Sequence, residues 1–178
     1  MSEYEFKSDL LCCLEKRGFL QQCTDPKALD ERVQKGPITA YIGFDATASS
    51  LHVGSLTQIM MLYWLQKCGH RPIVLMGGGT TKIGDPSFRN DERILLSESE
   101  IKGNIKSIQN AFSSYINFHT GNNRAILLDN SEWLDQLNYI EMLRPGGRPP
   151  PPPTVYNFCE SNLSGGLGTQ KPTKNKHI

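Results

Sequence analysis

The sequence predicts an α/β protein whose strands form the first half of a doubly wound parallel sheet. Strand-like and helix-like segments alternate between residues 38 and 144, and the joints between them are short. The strand-like segments are also largely apolar runs, as expected of buried strands. Because strands joined by a crossover helix lie parallel to each other, this alternation indicates a layered α/β architecture.

Two short helices are expected ahead of the sheet. Residues 4–20 carry apolar side chains at near-helical spacing, and Gly18 is a suitable stop for that helix. Residues 25–35 begin with Asp25, which is a favoured N-cap residue, and with Pro26 at the first helical position. The chain therefore reaches the sheet after a small helical segment.

The first βαβ unit occupies residues 38–76. A mostly apolar, β-rich run at 38–44 predicts a buried strand, and a loop of small polar residues follows it. Residues 51–67 predict a helix with one broad apolar face, and residues 72–76 predict the second strand. That strand runs directly into the three glycines at 77–79.

The alternation continues to about residue 140. Residues 98–115 have apolar side chains in helical register, and residues 124–128 predict a third strand. Ser131 is a candidate cap for a further helix, which would contain Trp133, Leu134, Leu137 and Ile140. The resulting order, β-α-β-α-β-α, is that of one half of a doubly wound sheet.

The character of the sequence changes near Arg144. Residues 1–144 carry 15 Lys+Arg and 17 Asp+Glu, a net charge of −2, whereas residues 145–178 carry 4 Lys+Arg and 1 acidic residue, a net charge of +3. The later segment also holds 7 of the 11 prolines and 5 of the 16 glycines. We therefore expect a folded part over 1–144 and a disordered, low-complexity Pro/Gly-rich tail over 145–178.

The composition excludes several classes of function. No apolar run approaches the roughly 20 residues that span a bilayer, so no membrane role is expected. Three acidic residues among the first nine argue against a secretory signal and an Arg-rich transit peptide. The five cysteines form no C-x-x-C pair and the four histidines are not placed to complete a zinc site, which favours free thiols, no bound metal and a cytoplasmic location.

The loop between the first strand and its helix is a candidate phosphate site. It places Asp45 and Thr47 ahead of a helix whose opening turn contains His52 and Gly54. Ligands of open α/β sheets bind beyond the carboxyl ends of the strands, and a helix N-terminus attracts an anion. His52 and Thr47 can donate hydrogen bonds to phosphate oxygens, and Gly54 lets a nucleotide approach the backbone. An ordinary strand-to-helix loop with an incidental histidine is the alternative.

A second candidate follows the next strand, at residues 77–86. The P-loop pattern fails because Asp85 stands where lysine is required, and the dinucleotide pattern fails because Lys82 occupies the last glycine position. The glycines still indicate close approach by a ligand or by a neighbouring chain segment. Asp85 is a candidate carboxylate for binding an ammonium group, and the alternative is an N-cap or turn residue. Arg89 and Arg93, four residues apart, are candidates for contacting a polyphosphate, and the alternative is a solvated helix face.

Three segments together resemble one enzyme family. Residues 41–55, 69–87 and 127–134 are similar to the N-terminal half of bacterial-type tyrosyl-tRNA synthetases, which are class I aminoacyl-tRNA synthetases. The resemblance covers roughly residues 4–144 and rests on the His-x-Gly signature, the glycine-rich strand end and the Gly-Asp-Pro-Ser turn. It implies a Rossmann-type catalytic domain that activates tyrosine with ATP and then transfers it to tRNA.

The resemblance also implies roles for individual residues. Tyr41 would face the phenolic hydroxyl of tyrosine, Gly43 and the backbone of Asp45 would line the adenylate, and Asp85 would bind the ammonium group. The residues implied on the ATP and pyrophosphate side are Thr47, His52, Gly54, Ser55, Arg89 and Arg93. The tyrosine carboxylate attacks the α-phosphate, and the enzyme stabilises the charge that develops on the phosphates.

Several features depart from the family's pattern. Ser55 replaces the second histidine of the signature, Ala46 replaces the usual proline, and Gln58 and Ile42 stand at positions that often contact ribose. The family's lysine loop, the rest of its sheet and its anticodon-binding domain are not recognisable after Arg144. We therefore expect a truncated chain that is inactive in aminoacylation on its own.

The ligands implied by the resemblance are tyrosine, ATP with Mg²⁺ as substrate, and tRNA, and the family is homodimeric.

One alternative is a small nucleotidyltransferase that uses the same His-x-Gly motif. Such proteins usually place the motif on the first strand near the N-terminus, whereas about 37 residues precede the first strand here. Another is a non-catalytic chain whose proline run at 149–153 is a PxxP-type ligand for an aromatic-lined groove.

Overall fold

The computed structural model describes residues 4–83, 96–137, 156–157 and 166–167. Three candidate site residues, Asp85, Arg89 and Arg93, lie outside the described residues, as does the proline run at 149–153.

Helices and strands alternate through the described residues. The helices are α1 (Asp9–Lys16), α2 (Pro26–Gln34), α3 (Val53–Lys67), α4 (Gly78–Ile83), α5 (Glu98–Ser113) and α6 (Ser131–Leu134). The strands are β1 (Gln22–Cys23), β2 (Thr39–Phe44), β3 (Arg71–Met76), β4 (Ile126–Asp129), β5 (Tyr156–Asn157) and β6 (Gly166–Leu167).

The main sheet is parallel and has the strand order β4-β3-β2-β5. At the carboxyl end of the sheet, Phe44 of β2 lies opposite Met76 of β3, which lies opposite Asp129 of β4. The three longer strands therefore end at one edge. The β-α-β-α-β-α order and the parallel pairing that the sequence predicts are confirmed.

One face of the sheet carries the hydrophobic core. Ala40, Ile42 and Phe44 are at most 5% exposed and belong to one buried cluster with Val74 and Met76. The helices contribute the other large members of this cluster, among them Leu10, Leu11, Leu14, Leu29, Leu62, Leu65, Ile108 and Phe112. The helices thus cover the face of β2 that carries Ala40, Ile42 and Phe44. Because successive side chains of a strand point to opposite faces, Tyr41 and Gly43 lie on the other face.

The two N-terminal helices begin largely as the sequence predicts. The Asp25 side chain caps α2 by accepting a hydrogen bond from the backbone N–H of Ala28 at 3.0 Å. α1 is shorter than the predicted helix over 4–20, and its start is tied to α2 by Asp30. The fully buried Asp30 carboxylate accepts hydrogen bonds from the backbone N–H groups of Ser8, at 2.9 Å, and Lys7, at 3.0 Å.

The glycine segment after β3 is helical, since its second and third glycines begin α4. Two predictions for the last helix are wrong: its N-cap is Asn130 and not Ser131, and it ends at Leu134, before Leu137. The Asp129 carboxylate accepts from the backbone N–H of Ser131 at 3.0 Å, so this carboxylate and not the Ser131 hydroxyl satisfies a donor of the first turn.

In the C-terminal segment the structure describes four residues, which form β5 and β6. Tyr156 and Asn157 pair in parallel with Ala40 and Tyr41, and the two residues of β6 pair with β1. The sequence does not predict this pairing because it depends on the exposed edges of β1 and β2, which offer unpaired backbone groups. None of the helices in the described part of the chain is both long and apolar enough to cross a membrane.

Candidate functional site

The candidate site lies where β2, β3 and β4 end. Asp45 follows β2, Gly77 follows β3, and Asp129 is the last residue of β4. A Cβ atom added to Gly77 would lie 2.8 Å from the Asp45 Oδ1 atom, so the two strand ends are in direct contact. The sheet therefore brings together the two sequence segments that the phosphate-site prediction singles out.

His52 is the N-cap of α3. Its Nδ1 atom accepts a hydrogen bond from the backbone N–H of Gly54 at 3.0 Å, and the imidazole is exposed. In a neutral imidazole one nitrogen accepts and the other carries the proton, so an accepting Nδ1 leaves the proton on Nε2. The cap thus orients the ring so that Nε2–H is available as a hydrogen-bond donor at the start of a helix of 15 residues.

Gly54 is required by the position of that ring. A Cβ atom at Gly54 would lie 2.8 Å from the Cε1 atom and 2.9 Å from the Nδ1 atom of His52, which is closer than real Cβ contacts. The His-x-Gly pattern therefore has a local structural reason besides access for a ligand. This reason is not visible in the sequence because it depends on the rotamer of the histidine.

The loop after β2 exposes two candidate site residues on either side of one buried residue. Asp45 and Thr47 are exposed, whereas Ala46 between them is 0% exposed. The backbone N–H of Ala46 donates to the Thr81 Oγ1 atom at 3.2 Å, and its carbonyl accepts from the Asn104 Nδ2 atom at 2.9 Å. The sequence does not predict these contacts: Thr81 lies within the glycine-rich segment at 77–86 but is not singled out there, and Asn104 belongs to neither candidate segment.

The glycine segment packs against the end of β4. The backbone N–H of Gly78 donates to Asp129 Oδ1 at 3.0 Å, and that of Gly79 donates to Asn130 Oδ1 at 2.7 Å. A Cβ atom at Gly78 would overlap the Asp129 carboxylate, and one at Gly79 would lie 3.1 Å from the Ser131 Cα atom. The glycines predict close approach by a ligand or by another part of the chain. In the structure the segment after β4 makes that approach and packs against the start of α4.

Tyr41 and Gly43 lie on the face of β2 opposite the core. Tyr41 is half-buried and Gly43 is exposed, in alternation with the buried Ile42 and Phe44. This places both residues beside the loop that begins at Asp45. Another candidate, Ser55, is 6% exposed and is thus buried, one residue beyond the exposed His52–Gly54 turn.

A cavity of about 330 Å³ lies next to this edge, between α4, α5 and α6. Lys82 lines it and forms ion pairs with Asp135, at 2.6 Å, and Glu98, at 3.2 Å. The hydrogen bond from Lys82 to Asp135, supported by Glu98, raises the pKa of the lysine above its ordinary value. Lys82 is therefore engaged by two carboxylates within the helical layer.

The described residues contain no group of three His, Cys, Asp or Glu side chains placed to hold a metal ion. The four cysteines of this part of the chain, Cys12, Cys13, Cys23 and Cys68, are free thiols.

Comparison with known families gives a match over most of the chain. The family described as tRNA synthetases class I (W and Y) matches residues 33–148. That range includes the loop after β2, the His52 turn and the glycine segment after β3.

Curated relatives match the same part of the chain. A tyrosine–tRNA ligase of Ruegeria pomeroyi is 59% identical over 146 residues, which are 82% of this chain and 35% of the relative. That of Zymomonas mobilis is 58% identical over 144 residues, which are 81% of this chain and 35% of the relative. The chain thus spans about a third of the length of these relatives.

Solved structures with a similar fold are also tyrosyl-tRNA synthetases. A C-terminally truncated mitochondrial enzyme of Aspergillus nidulans superposes with a TM-score of 0.66 at 27% identity, covering 78% of this chain and 42% of that one. The corresponding protein of Coccidioides posadasii gives a TM-score of 0.60 at 29% identity, covering 79% and 42%.

Proposed function

The chain belongs to the class I tRNA synthetases of the W and Y type, and from this premise we propose that it carries the ATP-binding side of a tyrosine–tRNA ligase active site. The observation that carries the proposal is the cap at the start of α3, where Nδ1 of His52 accepts from Gly54 and leaves Nε2–H free to donate. The proposed reaction is activation of tyrosine by ATP, followed by transfer to tRNA.

On the ATP side, His52 and Thr47 donate hydrogen bonds to the departing pyrophosphate. Charge builds up on the phosphate oxygens as the tyrosine carboxylate attacks the α-phosphate, so donors that are already oriented lower the barrier. The N-terminus of α3 adds a favourable dipole, and Gly54 leaves room for the nucleotide. Ser55 is left out of the proposed ATP contacts, since its side chain is buried and its backbone N–H already donates to the His52 carbonyl at 2.9 Å.

On the tyrosine side, Tyr41 faces the phenolic hydroxyl, Gly43 and the Asp45 backbone line the adenylate, and Asp85 binds the ammonium group. The first three lie beside one another at the end of β2, which supports a shared binding surface. Asp85, Arg89 and Arg93 keep the roles that the resemblance implies.

We propose ATP with Mg²⁺ as the substrate, with the metal carried by the triphosphate, and tyrosine and tRNA as the further substrates. The cytoplasmic location expected from the cysteines and the homodimer implied by the resemblance belong to the same proposal. The small nucleotidyltransferase alternative is not favoured, because the family match and the relatives are synthetases.

The proposal is tested by ATP binding to the chain and to His52→Asn, measured by calorimetry in the presence of Mg²⁺. Asparagine is a good N-cap, so this variant keeps the cap of α3 but lacks a donor at the position of Nε2. Loss of a hydrogen bond to a charged group, about 1.5–3 kcal/mol, predicts binding that is about 10- to 150-fold weaker.

The matched control is His119→Asn, which removes an exposed histidine outside the site and should bind ATP as the unaltered chain does. The proposal fails if the unaltered chain shows no ATP binding at millimolar concentration, or if His52→Asn binds as tightly as the control.

A further inference from the structure

One residue in the loop after β2 has both of its backbone polar groups bound by side chains from the helical layer. It is Ala46, whose N–H donates to Thr81 Oγ1 at 3.2 Å and whose carbonyl accepts from Asn104 Nδ2 at 2.9 Å. Thr81 lies on α4 and Asn104 lies on α5. The two hydrogen bonds therefore connect the loop to two different helices.

These bonds are made in a buried environment. Ala46 is 0% exposed and belongs to the core cluster, and Thr81 is 8% exposed. A buried backbone N–H without a partner is unfavourable, so removing the acceptor disturbs the loop by more than the loss of an exposed hydrogen bond would. Thr81 is consequently the more sensitive of the two contacts.

The buried residue sets the direction of its neighbours. Asp45 and Thr47 flank Ala46 and are both exposed, so the anchored residue separates two residues of the proposed site. The Ala46 N–H lies in the peptide bond with Asp45 and the Ala46 carbonyl lies in the peptide bond with Thr47, so each hydrogen bond fixes the backbone toward one of these neighbours. The anchor therefore acts on both the adenylate-lining and the pyrophosphate-binding positions.

Alanine at this position makes the contact with Thr81 possible. A proline here would have no backbone N–H to donate, and its ring would restrict the backbone by itself. An alanine leaves the backbone free to rotate, so in this chain the hydrogen bond to Thr81 supplies the restriction.

We propose that Thr81 and Asn104 are positioning residues for the loop of Asp45–Thr47, with Thr81 restricting a backbone that an alanine leaves free to rotate. The inference rests on the proposed function, since it assigns these residues to the ATP-binding side of that site. Neither residue touches the ligand; both act through the backbone of Ala46.

The test compares Thr81→Val, which keeps the shape but loses the acceptor, with Thr81→Ser, which retains a hydroxyl. Thr80→Val is the matched control, because Thr80 lies on the same helix and its hydroxyl bonds to the Gly77 carbonyl and to Asn130 Nδ2, whereas the hydroxyl of Thr81 bonds to Ala46. Amide hydrogen exchange of Ala46 and Thr47 reports on the loop, and calorimetry with ATP and Mg²⁺ reports on binding.

We expect Thr81→Val to accelerate exchange of the Ala46 amide by about tenfold or more and to weaken ATP binding by a similar factor. Thr81→Ser and Thr80→Val should exchange and bind as the unaltered chain does. A merely structural role would lower stability without this coupled effect on binding and without rescue by serine.

Ala46→Pro provides the second arm. In the Thr81→Val background it removes the N–H that has lost its acceptor, so the double variant should bind ATP more tightly than Thr81→Val alone. Additive effects of the two substitutions would overturn the inference, since residues without contact do not couple.

The outcomes separate this inference from the proposed function. If the unaltered chain binds ATP and Thr81→Val binds it equally well, the positioning role is overturned and the proposed function stands. If the unaltered chain does not bind ATP, the proposed function fails and the inference fails with it, whatever the exchange rates show.

Discussion

The substitution Gly54→Ala separates the stability of α3 from the geometry of the candidate site. A Cβ atom there would lie 2.8 Å from the His52 Cε1 atom, so the imidazole must move and its cap on α3 is lost. Alanine gains about 1 kcal/mol over glycine inside a helix, and loss of an N-cap costs about 0.5–2 kcal/mol. The two effects oppose each other, and the net change in the free energy of unfolding should lie near zero.

The matched control is Gly103→Ala in α5, where an added Cβ atom meets nothing within 4 Å. It should raise the free energy of unfolding by about 1 kcal/mol and leave ATP binding unchanged. Urea unfolding of both variants gives the stability difference, and calorimetry with ATP and Mg²⁺ gives the binding.

We expect Gly54→Ala to weaken ATP binding by at least about tenfold, because the displaced ring no longer presents Nε2–H. The reasoning is refuted if Gly54→Ala stabilises the chain as much as Gly103→Ala does and binds ATP equally well. In that case the contact between Gly54 and His52 has no consequence for the site.

Two further predictions concern the buried polar groups that join the helices to the sheet. Asp30→Asn should lower the free energy of unfolding by about 1.5–3 kcal/mol. The reason is that an amide has only one oxygen, whereas the carboxylate accepts hydrogen bonds from Tyr4, Lys7, Ser8 and Gln34. Asp25→Asn is the control in the same urea titration and should be nearly neutral, because asparagine is also a good N-cap. Burial raises the pKa of Asp30, but hydrogen bonds from Ser8, Lys7 and Tyr4 outweigh burial and hold the pKa below its ordinary value. The stabilisation is therefore present above about pH 4 and is lost as the pH falls through the lowered pKa. Asp30→Asn should lose less stability in that range. Burial, with a smaller contribution from the charge of Arg32, lowers the pKa of His70, whose Nδ1 accepts from the Ile38 N–H at 3.2 Å. Stability should therefore begin to fall below about pH 6.5 and continue to fall down to the lowered pKa. His70→Asn should flatten that part of the curve of stability against pH, and an unchanged curve would contradict the assignment.

The sequence predicts the sheet well because its elements are set by local patterns. The apolar runs of β2 and β3, the N-cap at Asp25 and the start of α5 all depend on side chains within a few residues. Ser97 and Glu100 form a capping box at the start of α5, which is a local signal of this kind. Such elements are confirmed to within a few residues.

The helix after β3 could not be predicted, because its start is formed by residues about 50 positions away. The N–H groups of Gly78 and Gly79 are satisfied by Asp129 and Asn130, so a segment that looks like a loop in sequence becomes helical in the fold. The same holds for Ala46, whose partners Thr81 and Asn104 lie on other helices. Long-range hydrogen bonds of this type leave no periodic signal.

The candidate site was predicted at the level of residue type and not of geometry. His52, Thr47 and Gly54 follow from the pattern, but the orientation of the imidazole depends on the cap to Gly54. The burial of Ser55 likewise follows from the packing of α3 against the sheet. The roles of these residues toward ATP stay predictions.

The most direct test of the proposed ATP site is an NMR titration of the ¹⁵N-labelled chain with ATP and Mg²⁺. The account predicts that His52 carries its proton on Nε2 before ligand is added, and that the Nε2 resonance and the Thr47 amide shift together as ATP binds. The account is contradicted if ATP binds while both resonances stay in place, or if no resonance of the chain responds to ATP.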